Sequence, residues 1–321
     1  MIPLGASILM LVELLRRDIP RAMHDPLRFS GLRGLLRYAE PMARHTSWRV
    51  GGPADYYFTP ADRADLANFL SQLPDTMDVV WVGLGSNLLV RDGGIRGAVI
   101  TTHKGLVDLR RDGDTGVVAE AGVPCAKVAR FSARAGLGGA EFLAGIPGSM
   151  GGALAMNAGA FGGATWDVLT AVETVDRQGR FRTCAADRIE SGYRSVRLPN
   201  QQWFVSAVLA LTADAEGQGP ARIRELLRRR GASQPVQSAN AGSVFRNPPG
   251  DHAARLIDSA GLKGLTEGGA VVSEKHANFI INPGTATAAD IEGLIGRVKD
   301  RVRAVHDIEL QPEVCIVGEV R

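Results

Sequence analysis

Gly145-Ile-Pro-Gly-Ser-Met-Gly-Gly152, followed after four intervening residues by Asn157-Ala-Gly-Ala-Phe-Gly162, decides how this chain is read. The run lies within residues 136–163, where ten glycines and six alanines occupy 28 positions. Backbone with so little side-chain bulk packs poorly on its own. A large planar or phosphorylated ligand can supply the missing contacts. The competing reading is a close-packed loop opening a helix. Ser149 does not mark a hydrolase, because Pro147 breaks the G-x-S-x-G pattern of a nucleophile elbow.

A second glycine group stands upstream. Gly83-Leu-Gly-Ser-Asn87 directly follows the apolar run Asp78–Val82, and Gly93-Gly94 closes the same loop. Exposed amide groups with a Ser hydroxyl and an Asn amide make a neutral cradle for phosphates. A tight strand-to-strand turn explains the same residues equally well. The group is not a Rossmann fingerprint, since Leu88 stands where the third glycine belongs and no helical pattern opens there. No G-x-x-x-x-G-K-[ST] occurs, which disfavours a P-loop nucleotidase.

Glycine makes up 39 of the 321 residues, well above the usual share of about 7 per cent. Hydrophobic residues at 45% and charged residues at 22% describe a chain with ample core material, which excludes wholesale disorder. Its length allows two or three domains. A net charge of +3 with interleaved signs leaves no nucleic-acid footprint. Cys125, Cys184 and Cys315 lie far apart, and no H-E-x-x-H is present, so no metal site is expected. Sparse, odd cysteines point to reduced thiols and a cytoplasmic protein. The apolar run from Ile2 to Leu15 is too short to span a bilayer and lacks a preceding positive residue. It reads as an amphipathic helix or a loosely attached extension, with export or membrane attachment as the alternative.

Regular patterning starts near Arg44. Strands are expected at Ala54–Phe58, Asp78–Val82, Arg96–Thr101, Gly116–Ala121, Ala171–Val175, Phe181–Cys184 and Trp203–Leu211, with helices at Ala61–Leu73 and Cys125–Ala135. The small, polar run at 213–220 reads as a linker. Beyond it, helices are expected at Ala221–Arg230, Asp251–Ala260 and Ala288–Val305. The last carries Ile291, Leu294, Ile295, Val298, Val302 and Val305 on one stripe, opened by a Thr287/Asp290 capping box. A strand at Glu313–Val317 follows. The pattern is α+β or α/β.

Several further residues look ordinary in isolation. Arg194, in Ser191-Gly-Tyr-Arg-Ser195, can present its guanidinium to a carboxylate or phosphate, but such an arginine is more often a surface salt bridge. Ser243, in Asn240-Ala-Gly-Ser-Val-Phe-Arg-Asn-Pro248, reads as a turn serine. Glu313, after Pro312, reads as exposed. Arg228-Arg-Arg230 reads as a solvated helix end, with a phosphate-facing role as the minority view. Lys263, Lys275 and His276 are candidate anion contacts, each more readily structural.

Taken in order and spacing, His45-Thr-Ser-Trp-Arg-Val-Gly-Gly-Pro-Ala54, Gly83–Asn87, Gly145–Gly162, Gly192-Tyr-Arg194, Asn240–Pro248, Ser273-Glu-Lys-His-Ala-Asn-Phe279 and Pro312-Glu-Val314 resemble the UDP-N-acetylenolpyruvoylglucosamine reductase family of peptidoglycan precursor synthesis. The resemblance runs from about Arg44 to the C-terminus. It implies an α+β fold, with an FAD-binding region of the PCMH or vanillyl-alcohol-oxidase type followed by a smaller α+β substrate domain. The implied division is 1–43 as an extension, 44–213 for FAD, 214–307 for substrate, and 308–321 as a strand returning to the active site. FAD would be held by Arg49, Gly51, Gly52, Gly83, Gly85, Ser86, Asn87, Gly145, Gly148, Ser149, Gly151 and Asn157. NADPH would dock at the flavin, alternating with the UDP-sugar, and need no dinucleotide domain of its own. Reduced flavin would give hydride to C3 of the enolpyruvyl group. Arg194 and Glu313 would stabilise the charge that follows, and Ser243 would protonate C2. Tyr193, Arg246 and Asn247 match substrate-contact positions. The resemblance further implies a cytoplasmic monomer without nucleic-acid or stable membrane partners.

Arg246 stands where Lys is common in the family. The short span from Arg194 to Trp203 leaves little room for the substrate-covering tyrosine loop of one branch. Glu267 has no evident role. Two other readings compete: another FAD oxidoreductase of the same fold, which would need no proton-donating serine, and a colourless nucleotide-sugar binding module.

Overall fold

The computed structural model describes residues 27–199 and 201–321. The chain divides into two compact units, one ending at Gly31 and one running from Leu32 to Arg321. Everything below concerns the second. The apolar run Ile2 to Leu15 lies outside the described residues.

Regular structure begins earlier than Arg44. Strand β1 (Leu35–Pro41) pairs antiparallel with β2 (Pro53–Thr59). Its Leu35 and Tyr38 are exposed, so this edge strand has no apolar alternation for sequence reading to detect. The buried Asp65 carboxylate fastens the chain just before it, accepting from the Arg33, Gly34 and Ala61 amides at 2.7–2.8 Å. Asp65 belongs to helix α1 (Arg63–Gln72), whose N-cap Asp62 accepts from the Asp65 amide at 2.9 Å. β3 (Val79–Val82) and β5 (Ile95–Thr101) complete a sheet of order β1-β2-β5-β3, parallel from β2 onward. Between them, β4 (Leu88–Val90) leaves that sheet to pair elsewhere.

The second sheet is antiparallel throughout. It takes β6 (Leu109–Asp112), β7 (Gly116–Glu120), β8 (Leu169–Asp176), β9 (Phe181–Ala185) and β12 (Gln202–Ala210) in the order β9-β8-β12-β7-β6. One face packs on α2 (Cys125–Arg134) and α3 (Met150–Met156), with Val128, Leu143, Met150, Leu154, Val172 and Phe204 in the core between. A two-residue hairpin, β10 (Glu190–Gly192) to β11 (Ser195–Arg197), projects from this region with Tyr193 and Arg194 at its tip.

After α4 (Gly219–Ser233) the chain builds a separate core around α5 (Ala253–Ser259), the short strands β13 (Thr266–Glu267), β14 (Ala270–Val272) and β15 (Ile280–Ile281), and α6 (Ala288–His306). The capping box at Thr287 and Asp290 is present. Ile291, Leu294, Ile295, Val298 and Val302 are buried, whereas Val305 is 44% exposed because the helix outruns the core it packs on. The buried Trp48 and Leu89 join this same core. The Trp48 indole donates to the Ile280 carbonyl at 2.8 Å, and Asn282 donates back to the Trp48 carbonyl at 2.8 Å. Arg91 grips Glu292, and Asp92 accepts from the first two amides of α6. The last strand, β16 (Cys315–Val317), is shorter than expected and pairs parallel with β4.

Candidate active site

Two backbone crossings build the site. In the first, the start of α3 is stitched to the segment after β7. The Cys125 amide donates to Gly148 O at 2.9 Å, Met150 to Val123 O and Gly151 to Ala121 O, each at 2.8 Å. Those two helix amides are therefore spent inside the protein. In the second, the segment between α4 and α5 meets the C-terminal strand. The Glu313 amide donates to Val244 O at 2.8 Å, Arg246 to Gln311 O at 2.9 Å and Cys315 to Asn87 O at 3.0 Å. Asn87 Nδ2 also donates to the Glu313 carbonyl at 3.0 Å. Glu313, Asn87 and the Val244 that follows Ser243 are thus held together by hydrogen bonds, although they lie far apart in sequence.

Between the crossings is a cavity of about 490 Å³, within the size range of small-molecule sites. It is lined by Gly83, Gly85, Ser86 and Asn87 from the first glycine group, by Gly145, Gly148 and Ser149 from the second, and by Arg194, Ser243 and Glu313. A larger, shallower groove of about 840 Å³ runs beside α4, but it gathers none of the sequence-predicted site residues.

Arg194 sits in the left-handed region, at φ +53°, an uncommon conformation for a side chain of this size. Asn157 holds it there. Asn157 Nδ2 donates to Gly192 O at 3.1 Å, and the Asn157 and Gly159 carbonyls accept from the Arg194 guanidinium at 3.4 and 3.3 Å. Arg194 Nε stands 2.6 Å from Glu313 Oε1, with the two side chains only 20% and 13% exposed. The Nε–H is not aligned with that oxygen, so the contact is ionic rather than a formed hydrogen bond. This is no surface salt bridge. Burial pushes the Glu313 carboxyl above the ordinary carboxylate value, and the charges of Arg194 and Arg246 oppose that shift without cancelling it.

The cavity also has features that an FAD would complete. Ser149 is 1% exposed, and its Oγ has no hydrogen-bond partner among the described residues. A Cβ on Gly83 would overlap that same Oγ, so the two glycine groups touch with no spare volume. Gly85 has φ +63°, and a side chain there would strike the His45 carbonyl. The Ser47 amide and hydroxyl both donate to the Gly85 carbonyl, at 3.1 and 2.9 Å. A buried donor, open backbone walls and apolar lining fit a flavin dinucleotide.

Not every expected residue faces the cavity. Arg49, Gly51 and Gly52 do not line it: Gly51 packs on Val90 and Gly52 on Asp92, which is why that loop is glycine-rich. Gly151 packs on Ala121, and Asn157 acts behind Arg194. Tyr193 is 60% exposed, with the Arg194 guanidinium 5.4 Å from its ring centre. Asn247 Oδ1 accepts from the Ala253 amide at 3.1 Å and starts α5. Arg246 acts on Glu313 through its charge. Lys263 pairs with Asp258 at 2.7 Å, Lys275 donates to Gly231 O at 2.5 Å, and His276 packs edge-on against Phe279. Glu267 finds its role as the partner of Arg297 at 2.6 Å. Sequence reasoning missed Gln234 and Cys315, and read Arg230 as a solvated helix end with a phosphate-facing role as the minority view; all three line the cavity.

Comparison with known proteins agrees with this geometry. Residues 54–185 match an FAD binding domain model, and residues 234–317 match the UDP-N-acetylenolpyruvoylglucosamine reductase C-terminal domain. UDP-N-acetylenolpyruvoylglucosamine reductase from Alkalilimnicola ehrlichii is 57% identical, over 90% of this chain and 96% of its own. The enzyme of that name from Methylococcus capsulatus is 56% identical, over 90% and 95%. The crystal structure of UDP-N-acetylenolpyruvylglucosamine reductase from Thermus caldophilus superposes with a TM-score of 0.76 at 34% identity, covering 89% of this chain and 99% of that one. With more than half of its residues shared with such relatives over nine-tenths of its length, the chain belongs to the UDP-N-acetylenolpyruvoylglucosamine reductase family.

Proposed function

We propose that this protein uses NADPH and FAD to reduce UDP-N-acetylglucosamine enolpyruvate to UDP-N-acetylmuramate, and that Arg194, Ser243 and Glu313 carry the substrate half of the reaction. The observation that carries this reading is the 2.6 Å Arg194–Glu313 contact in the wall of a cavity shared with Ser243 and both glycine groups. Gly83–Asn87, Gly145, Gly148 and Ser149 hold the FAD, which supplies the hydride chemistry when bound.

Hydride addition at C3 of the enolpyruvyl group leaves negative charge spread over C2 and the carboxylate. Arg194, fixed by the Asn157 and Gly159 carbonyls, meets that charge from a largely buried position. Glu313, whose carboxyl burial pushes above the ordinary carboxylate value, is placed to share a proton with the substrate carboxylate rather than repel it. The Ser243 hydroxyl delivers the proton to C2. A serine is a weak acid in water, but the acceptor is a strongly basic carbanion and the driving force is large. Residues 44–213, with β1 paired onto their first sheet, form the flavin-binding part, residues 214–307 the substrate part, and residues 308–321 bring Glu313 back between them. The protein acts as a cytoplasmic monomer on a UDP-sugar. No described helix is long and apolar enough to cross a membrane.

The test separates two half-reactions by anaerobic stopped flow. NADPH should bleach the yellow Ser243→Ala protein at nearly the wild-type rate. Reoxidation by the enolpyruvyl UDP-sugar should then slow by about 10² or more, as loss of a general acid requires. Wild-type reoxidation in that variant would refute the assignment.

A further inference from the structure

The run Arg228-Arg-Arg230 splits in two. Arg228 and Arg229 both turn onto Glu225, each at 2.8 Å. Arg230 turns the other way and lines the cavity with Gln234, Ser243, Arg194 and Glu313. Its Nε donates to Gln234 Oε1 at 3.0 Å, which fixes the guanidinium with its remaining donors uncommitted to that partner. Among the described residues no carboxylate forms an ion pair with it. Burial lowers its pKa and no neighbouring charge offsets that, yet an arginine remains protonated throughout the working range. Arg194 is balanced by Glu313. Arg230 is therefore a cavity cation without a protein counter-charge, and such a group is costly to keep unless a ligand brings the anion.

Two kinds of anion can enter this cavity. A diphosphate is charged at every stage. The flavin ring becomes charged only when a hydride from NADPH, two electrons and one proton, leaves NADP+ behind and puts one net negative charge on the ring. Arg230 lines the same cavity as the three residues that act on the reacting atoms, and its partner Gln234 is tied to the Ser243 segment, since Asn240 Nδ2 donates to Pro235 O at 3.0 Å and Asn240 Oδ1 accepts from the Gly242 amide at 2.9 Å.

We propose that Arg230, held by Gln234, stabilises the negative charge that the flavin ring gains on reduction, and so sets how readily NADPH reduces it. The proposal rests on the flavin reading above. It is tested by spectroelectrochemical titration of the FAD-loaded wild type, Arg230→Met and Arg230→Lys, with FAD dissociation constants and the KM for the UDP-sugar measured alongside. The Met variant should bind oxidised FAD within about threefold of wild type. It should favour the reduced form less by roughly tenfold, a fall of about 30 mV for a two-electron couple. The Lys variant should recover most of that fall. If Arg230→Met does not fold, Arg230→Gln keeps hydrogen-bond donors without the charge and should show the same fall. An unchanged potential would overturn the proposal. So would an equal loss of affinity for oxidised and reduced FAD, or a rise in the KM for the UDP-sugar alone, since each would place the charge on a diphosphate. A wild-type protein that takes up no FAD would instead refute the flavin reading itself.

Discussion

Removing the Ser149 hydroxyl should help the empty protein and harm the loaded one. The Oγ is buried without a partner among the described residues, and it lies where any side chain on Gly83 would collide with it. A buried, unsatisfied polar group costs about 1–3 kcal/mol. Alanine removes that cost and forfeits only the dispersion of one oxygen. The expected gain for the apoprotein is about 1 kcal/mol, or about 2 °C in Tm for a unit of this size. In the loaded protein the same hydroxyl finds an acceptor on the cofactor. Its loss should remove about 0.5–1.5 kcal/mol of binding, a roughly 2- to 12-fold weaker FAD affinity. Differential scanning calorimetry of deflavinated Ser149→Ala gives the first number, and quenching of FAD fluorescence gives the second. Opposite signs are the signature. An apoprotein that loses stability while FAD affinity stays at the wild-type value would show that Ser149 is a packing residue and refute the reasoning.

Glu313 should impose a pH dependence on the substrate half-reaction alone: because burial raises its pKa, reoxidation by the UDP-sugar should fall as pH rises through that raised value, and Glu313→Gln should flatten that limb in pH-resolved stopped flow. The same shift makes the folded state hold a proton that the unfolded chain has released, so folding stability should decline with pH between the ordinary glutamate value and the raised one, a slope that denaturant titrations of Glu313→Gln should lack. Cys125 is buried with its thiol pushed up to about 12, whereas Cys315, its thiol also raised by burial, is exposed at the cavity. A maleimide should therefore label Cys315 in the apoprotein, spare Cys125, and be blocked at Cys315 by FAD, as read by peptide mass spectrometry. Leu294→Ala, at a fully buried position on α6, should cost about 2–5 kcal/mol in denaturant unfolding, while Val305→Ala on the exposed end should stay within about 0.5 kcal/mol.

The two sheets were largely legible because their strands alternate or run apolar within a few residues, and α6 because five core residues recur at helical spacing. What escaped has a common cause. β1 is an exposed edge, and β4 is three residues long and exists only because β16 pairs with it from the other end of the chain. Neither leaves a local pattern. Among site residues, the glycines of the two groups were found by their clustering, but the cluster does not say which face the ligand and which face a neighbour. Gly83 and Gly148 line the cavity, whereas Gly51, Gly52 and Gly151 make room for other backbone. Arg230 was hidden by its neighbours. In sequence it is the last of three like residues, and only the turn of α4 separates the one facing the cavity from the two paired with Glu225.

The placement of the reacting groups explains why bland residues can be the important ones. Ser243 and Glu313 are set by amide-to-carbonyl bonds between their strands, and Arg194 by the carbonyls at the end of α3. The positioning devices are mostly backbone atoms, which any sequence possesses, joined by the side-chain amides of Asn87 and Asn157. Ser243→Ala, for example, leaves the Val244–Glu313 ladder intact, so the substitution removes a proton without moving the carboxyl beside it. Side chains in this site are therefore free to serve the chemistry. The energetic cost of their unusual settings, a left-handed arginine and a buried carboxyl against it, is met by the hydrogen bonds that fix the surrounding backbone. A site held in this way does not need to reorganise when charge appears on the substrate, which is the condition under which a fixed guanidinium lowers a barrier most.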